Sequence, residues 1–353
     1  MTGRVTLDQV ADAAGVSAAA ASLALRGKPG VADNTRQRIL DAAGRLGYQI
    51  RAAAEVPAEF TVGMLVITKT RGTPDATYGP LMGAVTEACA GVGVDVRLGT
   101  LVVDESDRPV EVPRLVGQAG IDGFLVIGPW LSSAAASLLG DRPIVLVDGD
   151  AEDRDTHSSV VSDDAGGAAD ATAALTAAGH QRIVLAGATA GVGGATAERR
   201  RGYEEAMAEA GLEPRYVERP TQDPSAVAAA VGLELRRGRR FTAVVAASDA
   251  IAIAILGELG ARNVPVPAAI SLIGFGDVEA ARLVRPRLTT VTVNKAAMGR
   301  LATSMLFHRM DHPDDPPFTV VQRARLVHRD SVAPVGQSER DSGNAAVPSR
   351  TPG

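Results

Sequence analysis

Short, almost uninterrupted apolar runs recur along most of this chain. They are VGMLVI from Val62, DVRLGTLVV at 95–103, GFLVIG at 123–128, PIVLVD at 143–148, SSVVS at 158–162, RIVLAG at 182–187, TAVVAAS at 242–248 and ISLIGF at 270–275. A strand that is apolar at every position is buried on both faces, and parallel strands of that kind need crossover helices. The Ala- and Leu-rich stretches between the runs supply those helices. Residues 62–334 therefore read as an α/β body with helices on both faces of parallel sheets. The strand candidates outnumber one comfortable sheet. The body is thus divided into two lobes.

The first 50 residues have a different rhythm. Thr6 precedes LDQVADAA, in which Leu7, Val10, Ala11 and Ala14 recur at helical spacing, and Gly15 breaks the pattern. Ser17 stands as the N-cap of AAAASLALR, and Gly27, Pro29 and Gly30 make a turn. A third helix runs from about Asp33 to Leu46 with Ile39, Leu40, Ala43 and Leu46 on one face. Residues 50–61 read as a connector, and the polar stretch 335–353 as a disordered tail.

Composition narrows the function. The chain is 46% apolar, and no run of about 18 apolar residues exists, so no membrane span or membrane partner is expected. The N-terminus has no secretory pattern, which makes the cytoplasm the expected compartment. A single cysteine, Cys89, excludes an intramolecular disulfide and a Cys-rich zinc site. The net charge of −5 is uneven: residues 1–52 carry seven basic and four acidic side chains, leaving −8 on the remainder. A basic head on an acidic body points to an anionic partner for the head alone.

Helix, glycine turn and Ser-capped helix is the layout of a helix-turn-helix, whose second helix presents its first turns to base edges in the major groove. The segment TLDQVADAAGVSAAAASLALRGKPGVADNTRQRILDAAGRLGY resembles the N-terminal domain of LacI/GalR-type transcriptional regulators over most of the first 48 residues. The resemblance places Ala18, Ala19 and Leu23 at the base edges, where they offer apolar contact and no bidentate hydrogen bonds. It places Ser17, Ser22, Arg26, Asn34, Thr35 and Arg36 toward phosphates, and Thr6 on the same DNA-binding surface. The connector departs from the family pattern. Tyr48 is followed by Gln49, Ile50 and Arg51, and AAAEVPAEF is about three residues short, with Val56 at the place of the minor-groove wedge.

The body resembles the family's effector-binding part, a periplasmic-binding-protein-like fold of two lobes joined by crossing strands, which implies lobes of about 62–160 plus 289–318 and 161–288 plus 319–334. The fold class expected is thus an all-α helix-turn-helix domain (1–49), a hinge (50–61) and an α/β two-lobed body (62–334). The resemblance assigns Tyr78, Asp148, Arg199, Ser248, Asp249 and Asp277 to the effector cleft. The family's carboxylate after the strand ISLIGF is replaced by Gly276, with Asp277 one position on.

Other motifs carry less. GATAGVGGA at 187–195 lacks the signature of a phosphate loop, and His308 and His312 lie next to Pro313 at a helix end. His180 closes a helix, where a cation suits the dipole. No nucleophile–base pairing is evident, so neither enzyme chemistry, a metal nor a cofactor is expected. The function the resemblance implies is a homodimeric repressor of double-stranded operator DNA, controlled by a sugar or related metabolite. A solute-binding protein of the same body fold is the alternative.

Overall fold

The computed structural model describes residues 7–17, 20–21, 24, 32–46, 60–69, 78–152, 156–189, 194–219, 223–238 and 240–335. The chain divides into two compact units, Met1–Ala58 and Glu59–Gly353.

In the first unit, α1 (Leu7–Ala14) and α2 (Asp33–Leu46) flank helical backbone at Ala20, Ala21 and Ala24. Gly15, at φ +64°, ends α1, and Val16 N–H closes back on Ala11 O at 3.0 Å, the left-handed stop that glycine permits. Ser17 Oγ accepts from Ala20 N–H at 3.2 Å as the expected N-cap. Among the described residues the core consists of Val10, Ile39 and six alanines, with Val16 packed against it. Leu40 and Leu46, expected on the buried face of the third helix, are exposed at 37% and 39%. Ala42 and Ala43 pack beside Ile39 instead. Two arginines of α2 hold carbonyls of the other helical segments: Arg38 Nη2 donates to Ala14 O at 2.8 Å and Arg36 Nη1 to Ala24 O at 3.0 Å.

The second unit contains two large sheets. The first has the order β14-β8-β6-β4-β1-β2-β3 and the second β10-β9-β11-β12-β13-β15. The first is built from β1 (Thr61–Lys69), β2 (Asp95–Val103), β3 (Pro109–Glu111), β4 (Gly123–Ile127), β6 (Ile144–Val147), β8 (Ser158–Ser162) and β14 (Thr319–Gln322). The second comprises β9 (Ile183–Ala186), β10 (Tyr216–Val217), β11 (Ala243–Ala246), β12 (Ser271–Gly276), β13 (Thr289–Thr292) and β15 (Arg325–Val327). A short pair, β5 (Trp130–Leu131) and β7 (Asp150–Ala151), lies apart. Pairing is parallel except for β3 on β2 and β15 on β13. Every residue of β4, β6, β9 and β11 is buried, as strands covered on both faces require.

The lobe boundaries differ from the expected ones. β13 pairs with β12 and β15, so 289–292 belongs to the second lobe, and β14 pairs with β8, so 319–322 belongs to the first. The reason is that each crossing strand completes the sheet it leaves before the chain changes lobe. Thr61, expected in the connector, already pairs with Asp95 in β1. Val335, expected in the tail, donates its N–H to Ala178 O at 3.0 Å, and the tail from 336 onward lies outside the described residues.

The helices of the body are α3 (Gly79–Ala90), α4 (Ser133–Ser137), α5 (Asp164–Ala177), α6 (Ala195–Glu209), α7 (Pro224–Arg236), α8 (Asp249–Ala261), α9 (Glu279–Leu283) and α10 (Lys295–Asp311). Gly202 sets how closely α6 lies on α5. A Cβ there would sit 1.9 Å from Ala165 O. The helix propensity gained by Gly202→Ala, about 1 kcal/mol, cannot offset a clash against backbone. We expect Gly202→Ala to lower stability by roughly 1–3 kcal/mol in chemical denaturation, as overpacked sites do. An unchanged midpoint would show that the helices separate at no cost.

His180 does not act as a cation at a helix end. It is 4% exposed, with Nδ1 2.9 Å from Thr242 Oγ1 and Nε2 3.0 Å from Ser271 Oγ and 3.1 Å from Ala333 O. The carbonyl needs a donor, so Nε2 carries the proton and Nδ1 accepts from Thr242. Burial pushes the imidazole pKa down, only partly countered by the Ala333 carbonyl. The folded protein thus takes up this proton less readily than the unfolded chain. Stability present above the ordinary histidine value of about 6.5 is lost as pH falls through the lower folded value. The urea midpoint should fall between about pH 7.5 and about pH 5.5, and fall less in His180→Gln. Equal pH dependence in the two proteins would refute a neutral, buried His180.

Candidate effector cleft and DNA-binding head

The C-terminal ends of the parallel strands are where ligands settle in open α/β sheets. In the first lobe, β6 ends in Asp148, held at φ +60°. The chain then presses on the β4 end: a Cβ on Gly149 would fall 1.7 Å from Gly128 O. Asp148 Oδ2 meets Lys295 Nζ at 2.5 Å, both side chains being 9% exposed. Lys295 opens α10, and its ammonium lies 5.8 Å from the centroid of the Tyr78 ring. Tyr78 is buried immediately ahead of α3. Burial pushes the Asp148 carboxyl upward, the Lys295 charge and hydrogen bond oppose it, and the field of Asp164 and Arg199 also reaches it. Asp148 Oδ1 is sealed from solvent and has no hydrogen-bond partner among the described residues.

In the second lobe, Arg199 of α6 donates through Nε to Asp164 Oδ1 at 2.7 Å and through Nη1 to Ala247 O at 2.6 Å. Its guanidinium carbon lies 4.0 Å above the centroid of Phe275, at the end of β12. Asp164 opens α5, where the helix dipole favours an anion, and accepts from Ser162 Oγ at 2.6 Å. Gly202, one turn beyond Arg199, brings α6 near enough for this clasp. Ser248, next to Ala247, caps α8 by accepting from Ile251 N–H at 3.3 Å.

Two expected cleft residues belong to a different network. Asp249 is 1% exposed, with Oδ1 accepting from Thr290 Oγ1 at 2.5 Å and Oδ2 from Val278 N–H at 2.9 Å. Burial pushes its carboxyl upward against those two bonds. Asp277, at φ +53°, is held by Arg329 and by Arg282 Nη2 at 2.9 Å. Burial works to raise its carboxyl, but the two arginines outweigh burial and hold it below the ordinary range. Both carboxylates are thus engaged in tying β12, β13 and the α9 turn together, with each of their oxygens already accepting one bond. The strand-end position identified them, but such an Asp serves equally well to cap the loop that follows. Conversely, Lys295, Asp164 and Phe275 went unassigned in the sequence. For Lys295 and Asp164 the one available signal is a charged residue at the first helical position after a crossing strand, and for Phe275 there is none.

For the head, Ser17, Asn34, Thr35 and Arg36 are described. Ser17 and Asn34 are exposed, and Thr35 and Arg36 are half-buried. Thr6, Ala18, Ala19, Ser22, Leu23, Arg26 and Val56 lie outside the described residues.

Comparison with known proteins agrees with this architecture. Residues 6–50 match the model of the bacterial regulatory proteins of the lacI family, and residues 172–332 match a periplasmic binding protein-like domain. The chain is 30% identical over 334 residues to the HTH-type transcriptional regulator GalR of Escherichia coli (strain K12), covering 93% of this chain and 96% of that protein. It is 29% identical over 336 residues to the HTH-type transcriptional repressor PurR of Mannheimia succiniciproducens, covering 93% and 98%. Among solved structures, a transcriptional regulator CelR–cellobiose complex superposes with a TM-score of 0.66 at 27% identity, covering 93% of this chain and all of that one. With such a relative matched over nearly its whole length, the chain belongs to the LacI family of DNA-binding transcriptional regulators.

Proposed function

We propose that this regulator is a homodimeric repressor whose grip on double-stranded operator DNA is set by a sugar or related metabolite closing the cleft. One observation carries the ligand half of the reading. Asp148 and Arg199, which the family resemblance placed in the cleft, are near enough to act on one another, with an aromatic ring beside the cation on each wall. Carboxylate, guanidinium and ring faces are the groups that hold a hydroxyl-rich ring, the first two by hydrogen bonds and the last by stacking. Similar proteins include a cellobiose complex and a ribose operon repressor of Haemophilus influenzae. In this reading the protein is a sensor rather than an enzyme, as its similarity to transcriptional regulators supports, and it acts on chromosomal DNA in the cytoplasm.

The DNA half rests on the head. In this reading residues 1–49 form the DNA-binding domain, 50–61 the hinge and 62–334 the effector-binding and dimerisation domain. Ala18, Ala19 and Leu23 face bases, and Thr6, Ser17, Ser22, Arg26, Asn34, Thr35 and Arg36 face the backbone, with Val56 at the minor groove. Arg36 also holds Ala24 O, so its truncation would loosen the head as well as remove a phosphate contact. Leu98, Val110 and Val112, exposed on and beside β2 and β3, give a second copy an apolar surface to cover.

The test uses an operator recovered by genome-wide occupancy mapping. Binding should be tight on DNA with two half-sites, much weaker on one, and altered by a sugar. Arg199→Lys keeps the charge but not the fork or the stacking plane. It should weaken the sugar's effect by about tenfold or more while DNA affinity without sugar is unchanged. Equal binding to one half-site, or a normal sugar response in Arg199→Lys, would contradict the reading.

A further inference from the structure

Lys295 stands where elementary electrostatics disfavours a lysine. It is the first residue of α10, and the positive end of a helix repels a cation. Its side chain is 9% exposed, so the ammonium has also lost most of its water. The chain contains only three lysines, against 33 arginines. The partner is Asp148, but a buried ion pair seldom adds stability over apolar residues of similar volume. Stability is thus a poor reason for the pair, and its effect on the charge of the cleft is a better one.

Without Lys295, Asp148 would be a buried anion on a wall that also carries the face of Tyr78. Carboxylate and ring face together are a receptor for an ammonium group. Lys295 supplies that ammonium from within, 2.5 Å from Asp148 Oδ2 and 5.8 Å from the Tyr78 centroid. Across the cleft, Arg199 is matched in the same way by Asp164. The two pairs cancel, and Asp148 Oδ1 remains an acceptor without a partner among the described residues.

We propose that Lys295 determines the charge specificity of the cleft. Occupying the cation position beside Asp148 and the Tyr78 ring, it excludes amine-bearing ligands and restricts the site to uncharged, hydroxyl-rich molecules. The proposal rests on the cleft being the effector site.

The experiment compares the full-length protein with Lys295→Met and Asp148→Asn by calorimetry and thermal shift at neutral pH. The probes are glucose, galactose, ribose and cellobiose, with glucosamine and galactosamine as amines and glucuronate and galacturonate as acids. The unmodified protein should bind a neutral sugar at least about tenfold more tightly than its charged counterparts. Lys295→Met should lose or reverse the preference over the amine. Asp148→Asn, which leaves the ammonium unopposed, should shift preference toward the acid. A Lys295→Met protein that discriminates as the unmodified one does would overturn the proposal. Should Lys295→Met not fold, an unshifted preference in Asp148→Asn would overturn it as well. If the unmodified protein prefers a charged sugar, the proposal fails while the sugar-effector reading stands. If it binds none of the three classes, that reading fails and takes the proposal with it.

Discussion

Covering a parallel strand on both faces leaves its two ends as the only places where a polar side chain can meet water or a ligand. The body obeys this constraint throughout. β4, β6, β9 and β11 are buried along their whole length. Asp148, Ser248 and Asp277 stand at C-terminal strand ends, whereas His180 meets Thr242 and Ser271 where β11 and β12 begin. The C-terminal ends thus carry charge, while around His180 the opposite end of the second sheet is closed by neutral hydrogen bonds.

The crossing segments link that arrangement to motion. β8 passes directly into Asp164 at the start of α5, and β13 leads through Val293 and Asn294 into Lys295 at the start of α10. Two of the places where the chain changes lobe therefore deliver a charged side chain to the cleft. Any rotation of one lobe against the other alters the field at Asp148, since that carboxyl responds to Asp164 and Arg199 as well as to Lys295. A ligand that favours one separation of the lobes acts on this set of charges and shifts the balance between states.

Much of this was legible in the sequence, for reasons that differ from element to element. Unbroken apolar runs mark doubly buried strands, so β1, β4, β6, β9, β11 and β12 were readable directly. Gly15 and Ser17 announced the helix stop and restart by local chemistry alone. β13 and β14 are not assignable to their lobes from sequence: Thr319 of β14 pairs with Ser159 of β8, 160 residues away, and Thr289 of β13 pairs with Ile273 of β12 through packing that no local pattern encodes. Asp249 illustrates the limit for site residues. A strand-end aspartate reads the same whether it faces a ligand or, as here, Thr290 and a backbone N–H. Lys295 was missed for the opposite reason, since its partner Asp148 lies 147 residues away in the chain.

The alanine-lined core of the head has a thermodynamic consequence. Apolar burial contributes about 25 cal/mol per Å², and domains of this size are marginal even with larger side chains inside. Among the described residues Val10 and Ile39 are the largest side chains of the buried set, and the two arginine–carbonyl ties supply polar reinforcement at the helix junctions. A unit of this size gains a large fraction of its stability from anything that binds only its folded form. DNA is then a scaffold as well as a target, and the head's melting temperature should climb with DNA concentration. The free regulator scanning the chromosome carries a softer reading head than the one at rest on its operator.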